Sequence, residues 1–254
     1  MLRRHVVLLS GIAITSFLSA KHATAQQQQG WHSVVEANAS TLFGATSQTL
    51  TALAGDVSDN RDHLAADFNV KFRYGEAEDA NRVKFVNARG IDIAASADIA
   101  PKERFSPFFL GAGQTSLEAR IASRVSGGAG AKWTFAKSNT GSASLSLALL
   151  GERTAALADT LGRSVETNLR YSWRVKMDQR IDDKLSVSHV TFYAPIASAL
   201  SRYTITSTTV ASYAVRKPLA LTLTFSDNYD SQAVARGASE NNNGAVLFGV
   251  RGTF

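Results

Sequence analysis

A histidine close to serines is the first arrangement in this sequence that could do chemistry, because an imidazole can activate a hydroxyl for acyl transfer. His189 follows Ser188 directly and lies three residues after Ser186. In a strand both serines point to the face opposite the imidazole, so a hydroxyl partner would have to come from a neighbouring strand. His32 and His63 are the other histidines beyond residue 25. The three show no metal-ligand spacing, and the chain has no cysteine. The glycines do not build a phosphate loop, since Gly130-Ala131-Lys132-Trp133 has no hydroxyl after the lysine and no glycine opens the motif at the required spacing. Gly111-Ala112-Gly113 likewise lacks the third glycine of a dinucleotide fingerprint. Glu76, Glu78 and Asp79 form an acidic stretch, read as a solvated loop or as a surface site for divalent ions. No catalytic residue, metal site or cofactor is expected, and the chain is not read as an enzyme.

A larger and more regular set of charges stands in alternation. Over 165–178, Glu166, Asn168, Arg170, Ser172, Arg174, Lys176 and Asp178 interleave with Val165, Thr167, Leu169, Tyr171, Trp173, Val175 and Met177. Over 64–75, Asp67, Lys71 and Arg73 fall between Leu64, Ala66, Phe68, Val70, Phe72 and Tyr74. Side chains alternate faces along a strand, so each stretch is a strand with one charged and one apolar side. A helix would spread the same charges around its circumference. Fourteen residues far exceeds the usual strand of roughly 5–6. Asp67, Lys71, Arg73, Glu166, Arg170, Arg174, Lys176 and Asp178 are therefore candidates for the lining of an enclosed lumen. There they form either a weakly anion-favouring pore or a plug of salt bridges.

Twelve strands are predicted, at 31–40, 48–57, 64–75, 82–96 with a bulge near Val86, 105–112, 123–135, 142–150, 165–178, 185–193, 203–215, 219–227 and 245–254. The second is expected to carry Leu50, Ala52 and Ala54 on its apolar face. Short turns rich in Asn, Asp, Gly or Pro fall at 59–62, 101–104, 138–141, 182–184 and 217–218. Longer connections are expected at 75–81, 114–122, 151–163, 194–202 and 229–243. Short turns at one end and longer loops at the other are the plan of a transmembrane, antiparallel, up-and-down all-β barrel of the outer membrane. An even strand number puts both termini at the short-turn end. In hydrocarbon only helices and closed barrels satisfy every backbone polar group, and a tilted strand spans with ~9–11 residues. The apolar faces would then meet lipid, with Trp133, Tyr171, Trp173 and Tyr203 as interfacial aromatics. A soluble periplasmic binding barrel with its apolar face inward shares the alternation, and an outer-membrane hydrolase of phospholipase type is a further alternative.

Bulk properties agree. The 254 residues are 44% hydrophobic and 19% charged, with four prolines, which excludes a disordered chain. Residues 1–25 read as a cleaved secretory signal: Arg3, Arg4 and His5, an apolar run, then Ala23-Thr24-Ala25. Its removal leaves 24 basic against 21 acidic residues, too even a balance for a nucleic-acid partner. Residues 26–30 are a flexible lead and 31–254 the barrel. Phe248, Val250 and Phe254 share a face at the C-terminus and are expected to be the signal recognised by the barrel-assembly machinery. Outer-membrane lipids and lipopolysaccharide are the other expected partners, with a small solute or ion as cargo.

Four stretches carry a likeness to a known family: Gly128-Ala129-Gly130-Ala131-Lys132-Trp133, residues 145–153 (Leu-Ser-Leu-Ala-Leu-Leu-Gly-Glu-Arg), residues 169–189, and residues 203–230. From Trp31 onward the chain resembles the salt-induced outer-membrane proteins (domain of unknown function 481). The resemblance implies an outer-membrane barrel and supplies neither a substrate nor an active site. Gly252 stands where members tend to have a tyrosine.

Overall fold

A computed structural model describes residues 30–42, 48–78, 82–157 and 164–254. The predicted leader at 1–25 and Asp79 lie outside the described residues. All twelve predicted strands form, most of them longer than expected: β1 (Gly30–Leu42), β2 (Gln48–Asn60), β3 (Leu64–Glu78), β4 (Lys84–Ile99), β5 (Phe105–Ser116), β6 (Ile121–Lys137), β7 (Gly141–Ala156), β8 (Val165–Arg180), β9 (Leu185–Ile196), β10 (Ala199–Arg216), β11 (Leu219–Asp230) and β12 (Asn242–Thr253). Each pairs antiparallel with the next, and β12 returns to β1, closing the barrel. The closing seam runs from Val34↔Thr253 to Ala39↔Phe248. Beyond it, Phe254 and Ser33 exchange both backbone hydrogen bonds, at 2.8 and 2.9 Å.

Alternation resolves with the charged faces inside. On β8, Leu169, Tyr171, Trp173 and Val175 are exposed on the outer wall while Arg170 and Arg174 are buried in the interior. On β3, Arg73 is wholly buried whereas Phe68 and Phe72 are exposed. A soluble barrel would carry the opposite arrangement. Strand β2 is the exception. Leu50 and Ala52 point inward, and Leu53 and Val57 face out. Leu50 packs against Ala88 and Leu247 in a small interior apolar cluster.

The bulge near Val86 is present, since Gly75 pairs with Ala88 while Glu76 pairs with Val86. Two connections expected to be long are short. The 114–122 segment is a turn at 117–120, tightened by the Ala119 N–H donating to Ser116 Oγ at 3.2 Å. The 194–202 segment turns at 197–198, and the surplus becomes a bulge, where Ala199 pairs with Ile196 and Tyr203 with Pro195. Pro195 has no N–H to donate, and at this interrupted ladder none is required. The acidic loop is likewise strand. Glu76 and Glu78 end β3, and the Tyr74 hydroxyl donates to Glu76 Oε1 at 2.8 Å on the outer wall.

At the short-turn end, the turn at 181–184 is set by Asp182. Its carboxylate accepts the N–H groups of Lys184 and Leu185, both at 2.7 Å, and these two bonds hold its pKa below the usual carboxylate range. Aromatics gather on the outer wall in two groups, Phe105–Trp133–Phe135 and Tyr193–Tyr203–Tyr229. They include the predicted Trp133 and Tyr203.

A candidate solute passage

The interior divides into a filled half and an open half. On the filled side, Arg251 donates to Glu36 Oε2 at 2.7 Å through Nε and to Ser212 at 3.1 Å. Asn38 donates to the same carboxylate at 2.9 Å, and Arg73 pairs with Asp92 at 3.3 Å. Lys71 lines a residual space there of about 80 Å³. Alternation puts Arg73 and Asp67 on the same face of β3, but the Arg73–Asp92 ion pair crosses to β4.

The open half holds two adjacent spaces. A vestibule of about 680 Å³ lies at the short-turn end, lined by the turns at 100–104 and 138–140 together with Asp98, Lys132, Arg174, Lys176 and Asp178. It meets a chamber of about 130 Å³ deeper in the barrel, the two sharing Asp67, Ser96 and Arg174. The vestibule lining carries six basic residues (Lys102, Arg104, Lys132, Lys137, Arg174, Lys176) against four acidic ones (Asp67, Asp98, Glu103, Asp178). The chamber wall is largely apolar, with Phe108, Leu110, Ala148, Leu150 and Phe192.

Glycine on β6 makes room for that wall. A Cβ at Gly128 would fall 2.0 Å from the Leu149 carbonyl oxygen and 2.9 Å from the Leu150 side chain. The glycines read as small residues on a crowded wall have this local cause.

The cations of β8 have different partners. Arg170 pairs with Glu152 at 2.9 Å and donates to the Ala194 carbonyl at 2.8 Å. Lys176 pairs with Asp178 at 3.2 Å. Arg174 donates to Ser146 Oγ at 3.1 Å, and its guanidinium carbon lies 5.7 Å from the Phe108 ring centre and 6.0 Å from that of Phe192. Glu166, expected in the lumen, is exposed at the long-loop rim and pairs with Arg202. It has the inward parity of β8, but parity fixes only the face and not the height along the barrel.

At the long-loop end an ionic strap crosses the mouth. Arg124 on β6 reaches Asp230 at the end of β11, at 3.1 Å. Arg236, in a single 3-10 turn at Val234–Arg236, pairs with the same carboxylate oxygen at 2.6 Å and donates to the Ala119 carbonyl at 3.2 Å. Glu152 links this group to Arg170, lying 3.7 Å from Arg124. Ala119, Ile121 and Ala233, at this end of the barrel, are buried. Of these residues only Arg170 is marked in the sequence; Arg124, Glu152 and Asp230 sit near strand ends outside the two cleanly alternating stretches, and Arg236 lies in a loop that carries no alternation.

His189 does have hydroxyl partners. They are Thr191, two residues on and on the same face, at 2.9 Å from Nε2, and Thr209 on β10 at 2.9 Å from Nδ1. Ser207 extends the group through Thr191 at 3.1 Å. The serines at 186 and 188 are not involved. The cluster lies on the outer wall, opposite in parity to buried Val190.

A family model described as "Protein of unknown function, DUF481" matches residues 35–245. No curated protein is similar to the chain. Among solved structures, the COG4313 outer membrane channel from Pseudomonas putida F1 is similar in fold, with a TM-score of 0.55 at 11% identity, over 93% of this chain and 99% of that one. The NanC porin gives 0.49 at 10% identity, over 87% and 98%. The translocator domain of the autotransporter NalP from Neisseria meningitidis gives 0.46 at 11% identity, over 91% of both chains.

Proposed function

The chain belongs to the DUF481 family, and from that premise we propose that it is an outer-membrane barrel forming a narrow, strap-gated passage for small solutes or ions. The observation that carries the reading is a basic-lined vestibule standing next to an interior chamber, with Asp67, Ser96 and Arg174 on the wall of both, inside a barrel whose outer wall is apolar. Residues 1–25 direct export and are removed, Phe248, Val250 and Phe254 present the last strand to the assembly machinery, and the long-loop end faces lipopolysaccharide. Gly252 suits the C-terminal role: a Cβ there would meet the Phe254 ring at 2.9 Å, so the terminal aromatic folds over the glycine.

Placement in a membrane has a direct test. Leu147 is exposed at mid-strand on β7, and Leu147→Arg should cost ~2–4 kcal/mol in lipid, the depth-dependent cost of a cation at the bilayer midplane. The measurement is urea unfolding in vesicles. A barrel whose outer wall faces water would lose almost nothing. Passage itself is tested by planar-bilayer recording of the purified mature chain in a potassium chloride gradient. A small steady current whose reversal potential favours chloride is expected, because basic side chains outnumber acidic ones in the vestibule. Absence of current would leave an envelope structural role.

The His189–Thr191–Thr209 contacts favour one other reading, an outer-wall hydrolase with Thr191 as nucleophile and His189 as base. The group that orients the imidazole is the Thr209 hydroxyl rather than a carboxylate, which weakens the pair. Hydrolysis of a p-nitrophenyl acyl ester in detergent micelles, lost in Thr191→Ala, would establish it. The other account of the cluster is mutual satisfaction of polar groups on an apolar wall.

A further inference from the structure

We propose that Arg174, Phe108 and Phe192 form a binding site for a small organic monoanion with a ring-sized apolar body, its carboxylate on Arg174 and its body in the chamber. This names the solute class of the passage proposed above and rests on that reading.

Three observations converge on the site. The chamber holds three cations, Arg124, Arg170 and Arg174. Arg124 and Arg170 are committed to Asp230 and Glu152. Among the described residues, Arg174 meets no carboxylate at salt-bridge distance. Its side chain is only 9% exposed, it donates one hydrogen bond, to Ser146, and its Nε is buried with no hydrogen-bond partner. A guanidinium presents five N–H donors in a planar fork that matches a carboxylate. The guanidinium stands over the rings of Phe108 and Phe192, and its unpaired in-plane N–H groups are the donors left for an anion. Position is the second observation, since Arg174 lines both spaces and stands where the vestibule meets the chamber.

The third observation is the character of the wall. Phe108, Leu110, Ala148 and Leu150 form a contiguous apolar cluster beside the guanidinium. The chamber's 130 Å³ is close to the roughly 150 Å³ of an apolar cavity that takes up benzene. An inorganic anion would use the cation and waste the wall, and a neutral ring would use the wall and leave the guanidinium unmet. A dianion would face Asp67 and Glu152, which line the same chamber. A monocarboxylate with one ring satisfies every feature.

The experiment is calorimetric titration of the mature chain in detergent with sodium benzoate, and separately with benzyl alcohol, a neutral probe with the same ring. Saturable benzoate binding is expected, with benzyl alcohol at least about tenfold weaker, since a desolvated charge-assisted pair is lost. Arg174→Gln should weaken benzoate by a similar factor and leave benzyl alcohol unchanged. Ala148→Trp fills the chamber and should abolish both while Arg174 stays in place. Heat-dependent gel mobility confirms that each variant is folded. Equal affinity for the two probes, benzoate binding untouched by both variants, or no saturable benzoate binding would overturn the site. The same preparations are recorded in potassium chloride. Binding without current would keep the site and overturn the passage, and current without binding would do the reverse.

Discussion

Asp230→Asn should raise the conductance of the barrel, with open-state occupancy at least about tenfold higher than in the parent chain. Asp230 is the hub of the strap: one oxygen takes both Arg124 and Arg236, and the other accepts the Gln232 N–H at 2.9 Å. Arg124 and Asp230 approach from opposite sides of the twelve-strand ring, so their bond ties the mouth across its width. The side chains involved are only 12–15% exposed, which makes screening by salt weak. Removing one member of a buried ion pair typically costs 3–5 kcal/mol, because the partner charge is left behind, and ~1.4 kcal/mol already shifts a two-state ratio tenfold. The cost should fall on the strapped state, because release would expose Arg236 and the 231–241 segment to water. Arg236→Ala and Arg124→Gln should act in the same direction, and the combination should be less than additive because the three form one network. Single-channel recording reads the result. Unchanged current in all three variants would remove the strap from the gating path.

The second large effect is on closure. Gly249→Val should prevent assembly of the heat-resistant barrel. Gly249 pairs with Asn38 in the seam between β12 and β1. A Cβ there would lie 1.9 Å from Asn38 Oδ1 and 2.7 Å from the Ala37 carbonyl oxygen. The Asn38 side chain cannot move aside cheaply. Its amide holds Glu36, its oxygen accepts from Thr222 at 3.3 Å, and Glu36 in turn holds Arg251. Overpacking costs roughly 1–3 kcal/mol, and each buried polar group left unsatisfied adds about as much. The seam is short, at residues 34–39 against 248–253, so few other bonds can compensate. Gly111→Val is the control, since nothing lies within 4 Å of a Cβ there. The readout is the folded fraction on an unboiled gel after refolding into micelles. Equal yields for the two variants would show that the seam tolerates the side chain.

Much of this is legible in the sequence. On β8, seven polar residues in strict alternation placed Arg170, Arg174, Lys176 and Asp178 on the inner face, and their neighbours on the outer one. On β9 and β10 the signal was weaker. The 194–202 stretch reads as a long loop where a two-residue turn and a bulge stand. Leu50 suggested a lipid-facing side where an interior cluster stands. Thr209 meets His189 only through the β9–β10 register, which the chain does not display, whereas Thr191, two residues along the same strand, is within reach of simple alternation.

The sequence alone determined the strands, their faces and the barrel, because alternation follows from covalent geometry within a few residues. Tertiary structure decided which cation meets which carboxylate. Arg170 found Glu152 on β7, Lys176 found Asp178 two places along its own strand, and Arg174 found two phenylalanines from β5 and β9. Those outcomes depend on strand register and on which walls of the closed ring face each other. Both are set by the summed pairing of all twelve strands, so no local stretch of sequence encodes them.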